Sequence, residues 1–297
     1  MCSDIPTNAA NVSVADQRII DVWEVRKFDA NLLAQLEENE PLITGYFEAE
    51  KQIFLSHDLG RDPRRSMLRP SNPYAHGFLE LKEMIGLQME MRTIRAFHYT
   101  RLTDDEVENI LEAGIQVSTP ETLRQRLDAI VSSGILSVDV ADQLFAESPF
   151  HSDQLDARLG KFWLTSHPLA ICNSGVVPLM ERWGGEVASM WVRDRSLSDP
   201  LLKIGRPRII EVAVPLNATK HSYMAGGAII ATFGRSRGTT PEKFAFDLYV
   251  EVALPPQAVL AVHAEGDIAF NAMGREYPEG YIDVDVGLWE ELTGEGE

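Results

Sequence analysis

Alternating apolar residues predict a β-strand near the end of the chain. The positions of one face, at a period of two, are all apolar: Phe246, Leu248, Val250 and Val252. Tyr249 and Glu251 share the opposite face. The strand is expected to stop before Pro255 and Pro256, because proline has no backbone donor to continue a ladder. A glutamate near the end of such a strand is a candidate functional group.

A second strand is predicted over Ala96–Arg101, and it carries His98. Thr103 and Glu106 follow it at the spacing of a capping box, in which each side chain bonds the backbone of the other residue. The apolar positions behind this box predict a helix that ends at Gly114, since glycine readily adopts the backbone conformation that closes a helix.

Further helices and strands are predicted between and around these two strands. Helical spacing is expected in an insertion near residues 120–160 and again over Val177–Trp183. The remaining alternating segments predict strands, and they are Phe162–Ser166, Val187–Val192, Arg208–Pro215 and Val259–His263. The pairs Gly184-Gly185 and Gly226-Gly227 are interpreted as turns, because neither belongs to a phosphate-binding glycine pattern.

The N-terminal third is different, with apolar spacing of three and four residues that favours helices over residues 15–50 and 78–87. Residues 1–14 are polar and predict a frayed arm. We therefore divide the chain into a mostly helical N-terminal appendage, residues 1–90, and a main α+β domain, residues 91–297.

Composition narrows the class of protein. The chain has 297 residues, of which 44% are apolar, enough for an ordinary core. Its net charge of −18 argues against bulk attraction to nucleic acid or to anionic membrane. The charge is uneven, however, because residues 176–240 contain nine Lys and Arg against five acidic residues. That segment could still meet an anion.

Cysteine usage and the N-terminus predict a soluble cytoplasmic protein. Cys2 and Cys172 cannot form a disulfide framework, and neither has neighbours suited to a metal, so no metal is expected. No signal peptide pattern and no apolar run of membrane-spanning length is present. The oligomeric state is left open.

The order of these segments resembles the ADP-ribosyltransferase superfamily over residues 93–265. The first part of the resemblance is Phe97-His98-Tyr99-Thr100 followed by Ile110-Leu-Glu-Ala-Gly-Ile115, and the second is Glu251 followed by Leu254-Pro-Pro-Gln-Ala-Val-Leu260. The resemblance implies an ADP-ribosyltransferase-like split β-sandwich. It also implies a mono-ADP-ribosyltransferase, toxin-like, that uses NAD as substrate and modifies a macromolecular acceptor, either protein or nucleic acid.

The resemblance also implies roles for individual residues. Glu251 would be the catalytic carboxylate beside the nicotinamide ribose, where it stabilises an oxocarbenium-like transition state. His98 would bind the adenosine-side ribose, and Tyr249 lies where relatives carry a residue that selects the acceptor. The other NAD-binding residues would lie on the first two strands or directly after the first: Tyr99, Thr100, Arg101, Trp163, Thr165 and Ser166. Arg101 or a basic residue of segment 182–237 would face the pyrophosphate.

Several alternatives remain open at this point. Glu211 fits a strand pattern as well as Glu251 does and is a second candidate for the carboxylate. A small-molecule acceptor is possible. An RNA 2′-phosphotransferase-like enzyme would share the fold but needs several basic residues around one phosphate, and a non-catalytic interaction or structural protein is the third function considered.

Overall fold

The computed structural model describes residues 18–56, 70–241 and 244–273. The helices are α1 Ala30–Glu38, α2 Glu40–Ser56, α3 Ala75–Met89, α4 Asp104–Ala113, α5 Pro120–Ser132, α6 Val138–Ala146, α7 Leu155–Arg158, α8 Val177–Glu181, α9 Gly185–Ala188, α10 Arg195–Ser198, α11 Ser222–Ser236 and α12 Ile268–Met273. The strands are β1 Thr93–Leu102, β2 Phe162–Thr165, β3 Arg206–Pro215, β4 Asp247–Val250 and β5 Val259–Ala264. The predicted α+β class is confirmed, while the specific ADP-ribosyltransferase fold stays a prediction.

The five strands form one antiparallel sheet in the order β4-β2-β1-β3-β5. The long strands β1 and β3 pair over ten residues and are the centre of the sheet. In contrast, β1 and β2, which are both described in full, pair only at Phe97 and Thr165. The sheet therefore divides beyond that point, and β2 with β4 forms a short arm beside the end of β1.

One face of the sheet carries the main core. Apolar residues of β1, β3 and β4 pack there against α1, α2, α3 and α11. The N-terminal helices thus share a single core with the sheet. The opposite face has a smaller cluster that includes Phe97, Tyr99 and Ile209. A third cluster joins the insertion, α5 and α6, to Trp183 and Leu201.

The strand around His98 and the helix after it are confirmed. Thr103 and Glu106 form the expected capping box at the start of α4. Gly114 follows α4 with φ of 85°, and a Cβ there would lie 2.1 Å from the Leu254 carbonyl oxygen. Glycine is required at this position because both the backbone conformation and the close approach exclude a side chain. The adjacent Ile115 exchanges two backbone hydrogen bonds with Leu254.

Two predictions from the pattern are wrong. Val187–Val192 is not a strand: α9 occupies its beginning and a turn follows. Val187, within α9, and Val192, after the turn, both pack against the third cluster. Gly226-Gly227 is not a turn but lies within the buried helix α11. A Cβ on Gly226 would lie 2.7 Å from the Gly86 backbone nitrogen, so glycine there permits the close packing of α11 on α3.

The strand predicted to carry Tyr249 and Glu251 is shorter than the pattern predicts. β4 spans Asp247–Val250, and Glu251 lies in a bend after it. Leu248 and Val250 are buried as expected, whereas Val252 is exposed. The predicted arm at residues 1–14 lies outside the described residues. Within the described ranges, no helix is both long and apolar enough to cross a membrane.

Candidate active site

A cavity of about 1080 Å³ opens where the sheet divides. Its walls are the end of β1, the start of α4, α5 of the insertion, β2, and the loop that leads into α9. Its volume is at the upper end of the range for small-molecule sites, about 300–1,000 Å³. The charged and imidazole side chains on its lining are His98, Asp104, Asp105, Glu106, Arg126, Arg158, Lys161, Glu186 and Asp247.

His98 lies where strands β1 and β2 begin to separate. Its Nδ1 lies 2.8 Å from the backbone oxygen of Trp163, and its ring contacts that of Phe162 at 4.3 Å. Burial lowers the pKa of His98 to about 4, and the nearby Arg126 charge adds to this effect. The imidazole is therefore neutral at pH 7. A carbonyl can only accept, so Nδ1 carries the proton and Nε2 can accept a hydrogen bond from a ligand.

Arg126 is held on the cavity wall by α5. Its Nε donates to Glu106 at 2.7 Å, and its guanidinium lies over the Trp183 ring at 4.7 Å. Burial favours the neutral form of Glu106, but Arg126 and hydrogen bonds from Thr103 and Trp183 hold its pKa below the usual range. The Arg126 Nη2 group is buried without a partner among the described residues. One N–H group of a charged side chain is therefore left for another acceptor.

Arg158, at the end of α7, repeats this arrangement. Its Nη2 donates to Glu186 at 2.7 Å, and its guanidinium lies 5.7 Å from the Trp163 ring. Its Nε is likewise buried and has no partner in the part of the chain that the structure describes. A buried, unpaired donor is costly, about 1–3 kcal/mol, and more for a charged group. Arg126 and Arg158 therefore place two guanidinium groups with incomplete hydrogen bonding beside one cavity, which makes them candidates for contact with an anion.

Two carboxylates on the lining are electrostatically coupled. Burial raises the pKa of Glu186, against the effect of Arg158, and the negative charge of Asp247 raises it further. Partial burial also raises the pKa of Asp247, and His221 opposes that shift. Asp247 begins β4 opposite Thr165 of β2, and Thr165 is the residue that pairs with Phe97, so strand pairing places Asp247 where the division of the sheet begins.

Five of the nine residues predicted for the site line this cavity: His98, Tyr99, Thr100, Trp163 and Thr165. The Tyr99 hydroxyl is committed to Leu169, whose backbone oxygen accepts from it at 3.1 Å and whose nitrogen donates to it at 2.6 Å. Trp163 donates from Nε1 to the Ala157 oxygen. The Trp163 ring is thereby fixed beside Arg158.

The other four predicted residues do not line it. Arg101 donates to the backbone oxygens of Ile204 and Met180, and fully buried Ser166 bonds the backbone of Phe246. The Tyr249 ring lies 4.7 Å from that of Trp163. Glu251 is half exposed, and its carboxylate lies 3.4 Å from the ammonium group of Lys220.

Glu211, the second candidate for the carboxylate, also lies away from the cavity. It is buried on β3, where Arg95 and His263 both bond its side chain, the latter at 2.6 Å. Arg95 further donates to Asp21 at 2.9 Å. No side-chain polar atom of these four described residues is buried without a partner. The arrangement is a closed ion-pair network within the fold.

Sequence reasoning missed Arg126, Arg158, Glu186 and Asp247. The arginines belong to predicted helices, where the pattern does not separate a cavity-facing charge from a solvated one. Asp247 lies at the start of β4, whereas the predicted catalytic residue, Glu251, follows the other end of that strand. No group of three or more His, Cys, Asp or Glu residues among the described ones could hold a metal ion.

Comparison with protein-family models found no matching family, and comparisons with curated proteins and with solved structures likewise found no match.

Proposed function

We propose that this protein cleaves NAD and transfers ADP-ribose to an acceptor, with release of nicotinamide. The observation that carries the proposal is the composition of the cavity at the divided end of the sheet. A neutral imidazole on β1, a carboxylate at the start of β4 and two arginines with unpaired N–H groups line one space of about 1080 Å³. These are the group types that a dinucleotide with two riboses and a pyrophosphate requires.

The two arginines support binding of the pyrophosphate. Arg126 and Arg158 each use part of the guanidinium on a carboxylate, Glu106 or Glu186, and keep one buried donor unpaired. Charge-assisted hydrogen bonds from such donors to phosphate oxygens are short and strong. His98, through Nε2, would accept from a ribose hydroxyl. This assigns the pyrophosphate to the insertion instead of to Arg101, which is committed to backbone oxygens.

Asp247 is the carboxylate that we assign to catalysis. In the reaction, the bond between nicotinamide and ribose breaks and nicotinamide leaves with the electron pair. The acceptor nucleophile then bonds the ribose carbon and loses its proton. A carboxylate near the ribose stabilises the positive charge that develops in the transition state. Asp247 lines the cavity, whereas Glu251 pairs with Lys220 outside its lining.

A matched pair of variants tests this assignment. Nicotinamide release from NAD is measured for the full chain, for Asp247→Asn and for Glu251→Gln, each an isosteric loss of one negative charge. Loss of preorganised electrostatic stabilisation lowers turnover by roughly 100- to 1,000-fold. We expect that loss for Asp247→Asn and a change of less than about threefold for Glu251→Gln, since Glu251 does not line the cavity.

The opposite pattern would return the catalytic role to Glu251. Absence of nicotinamide release and of label transfer from adenine-labelled NAD, with the folded protein and a range of lysates, would overturn the enzymatic proposal and favour an interaction protein. Label that does transfer is then tested for sensitivity to protease and nuclease, which identifies the acceptor class.

One observation favours a second candidate function. An RNA 2′-phosphotransferase-like enzyme needs basic groups around a phosphate, and the insertion brings Arg126 and Arg158 to the same cavity as His98. Each arginine is already paired with a carboxylate, which lowers the positive charge available. Incubation with NAD and an RNA that carries a 2′-phosphate separates the two reactions, because only this second activity removes the phosphate from the RNA.

A further inference from the structure

A second pocket, of about 260 Å³, lies on the surface beside the loop that leads into α9. Gly184 to Val187 line the large cavity, and Ser189, Met190, Val192 and Arg193 line this smaller pocket. Its volume is below that of drug-sized ligand sites, about 300–1,000 Å³. Such a volume suits a compact group such as a phosphate.

Three arginines line this pocket. Arg193 and Arg195 are exposed, and no carboxylate of the described residues lies within ion-pair distance of either one. Arg182 pairs with Glu181, which also lines the pocket, but its Nε is buried and has no partner among the described residues. The pocket therefore combines two uncompensated charges with one buried donor that needs an acceptor.

The nearby carboxylates are engaged elsewhere. Asp194 accepts hydrogen bonds from the backbone nitrogen and the hydroxyl of Ser196, both at 2.8 Å. Glu186 pairs with Arg158 on the lining of the large cavity. In a chain with a net charge of −18, a pocket with unpaired arginines is a local exception that bulk composition does not predict.

An aromatic side chain lies next to these arginines in the chain. Trp191 stands between Met190 and Val192, which both line the pocket, and it is 37% exposed. Its Nε1 donates to the backbone oxygen of Glu186 at 2.7 Å, so the indole is held in place although it is exposed. Trp191 thus provides a fixed and partly exposed ring two residues before Arg193 in the chain. Aromatic rings and arginines together bind single-stranded nucleic acid, through base stacking and phosphate contacts.

We propose that the pocket lined by Arg182, Arg193 and Arg195, together with Trp191, binds single-stranded nucleic acid, with a phosphate in the pocket and a base on the indole. The bound strand lies beside α9, which carries Glu186 at the wall of the large cavity. Nucleic acid as the acceptor of ADP-ribose follows only if the proposed transfer reaction is correct. The binding itself does not depend on that reaction.

Fluorescence anisotropy with labelled single-stranded RNA and DNA, in the absence of NAD, tests the binding on the full chain. Arg193→Gln/Arg195→Gln is expected to weaken binding and to reduce the slope of log affinity against log salt by about 0.7, the contribution of one phosphate contact on a single strand, since the pocket holds one phosphate. Trp191→Leu is expected to weaken binding by roughly 5- to 150-fold through lost stacking. The control is Arg26→Gln/Lys27→Gln, which removes two exposed charges from a turn that does not line the pocket.

The outcomes are distinguishable. Binding that both test variants weaken and the control retains supports the site. Absence of binding, equal loss in the control, or binding that is confined to anionic lipid vesicles overturns it. Equal competition by inorganic phosphate alone, with no effect of Trp191→Leu, also overturns it and leaves a site for small anions. If the strand binds but no label transfers from NAD, the transfer reaction fails and the binding site stands.

Discussion

Two groups of buried charges in this protein differ in whether their hydrogen bonds are complete. On one face of the sheet, Asp21, Arg95, Glu211 and His263 form a network with no buried polar atom left unpaired. At the cavity, Arg126 and Arg158 are each paired with one carboxylate and retain one buried donor without a partner among the described residues. A complete network holds its strands together by itself, whereas an incomplete one beside a cavity can take its missing acceptor from a bound ligand or a water.

Glu211→Gln should produce the largest effect on stability. Removal of one partner from a buried ion pair leaves the other charge uncompensated, at a cost of about 3–5 kcal/mol. Because Arg95 keeps its bond to Asp21, we expect a loss of about 3 kcal/mol in the free energy of unfolding, measured by denaturant titration. The affinity for ADP-ribose, measured by calorimetry, should not change. Weakened binding of ADP-ribose with unchanged stability would place Glu211 in the site. It would contradict the assignment of Glu211 to a structural network.

Each of the two groups contains one histidine, and the two histidines differ in their hydrogen-bond partners. His263 bonds a carboxylate, whereas His98 bonds a carbonyl near Arg126, and burial lowers the pKa of His98 to about 4 from 6.5. Between pH 6.5 and 4 the unfolded chain binds a proton that folded His98 does not. The free energy of unfolding therefore falls as the pH is lowered through this window, by up to about 3 kcal/mol.

His98→Gln should remove that part of the pH dependence. The measurement is denaturant titration of the wild type and the variant between pH 4 and pH 7.5, with the difference in unfolding free energy plotted against pH. We expect the free energy of unfolding of the variant to rise relative to that of the wild type as the pH falls below 6.5. Above pH 6.5 the difference between the two should be constant. A difference that is flat over the whole range would mean that His98 titrates normally.

Local patterns predicted the strands and the capped helix because their determinants are local. Alternation, the box formed by Thr103 and Glu106, and the closure at Gly114 all depend on residues a few positions apart. Helix α11 was missed because it is apolar on nearly every side, and such a segment has no distinct period. Gly226 is explained by the packing of α11 on α3, which depends on distant sequence.

The site was only partly predictable for the same reason. His98 was identified from its strand, but Asp247 and Glu251 lie at opposite ends of β4, and the strand pattern alone does not decide which end meets the cavity. The pairing of Asp247 with Thr165 decides it, and that is a tertiary contact. Likewise, only the packing of the insertion shows that Arg126 and Arg158 face a cavity and that Arg124 does not.

Arg158→Gln should produce the smallest change in stability, but it should lower the affinity for the ligand. Arg158 pairs with Glu186, which is partly exposed, so we expect less than about 1 kcal/mol in unfolding free energy. A hydrogen bond to a charged group contributes about 1.5–3 kcal/mol, so the affinity for ADP-ribose should fall roughly 10- to 150-fold. Arg124→Gln is the matched control, since Arg124 pairs with Asp128 and Asp142 and does not line the cavity. If both variants bind ADP-ribose equally well, the unpaired donor of Arg158 is not a ligand contact, and the distinction between complete and incomplete charge networks loses its functional meaning here.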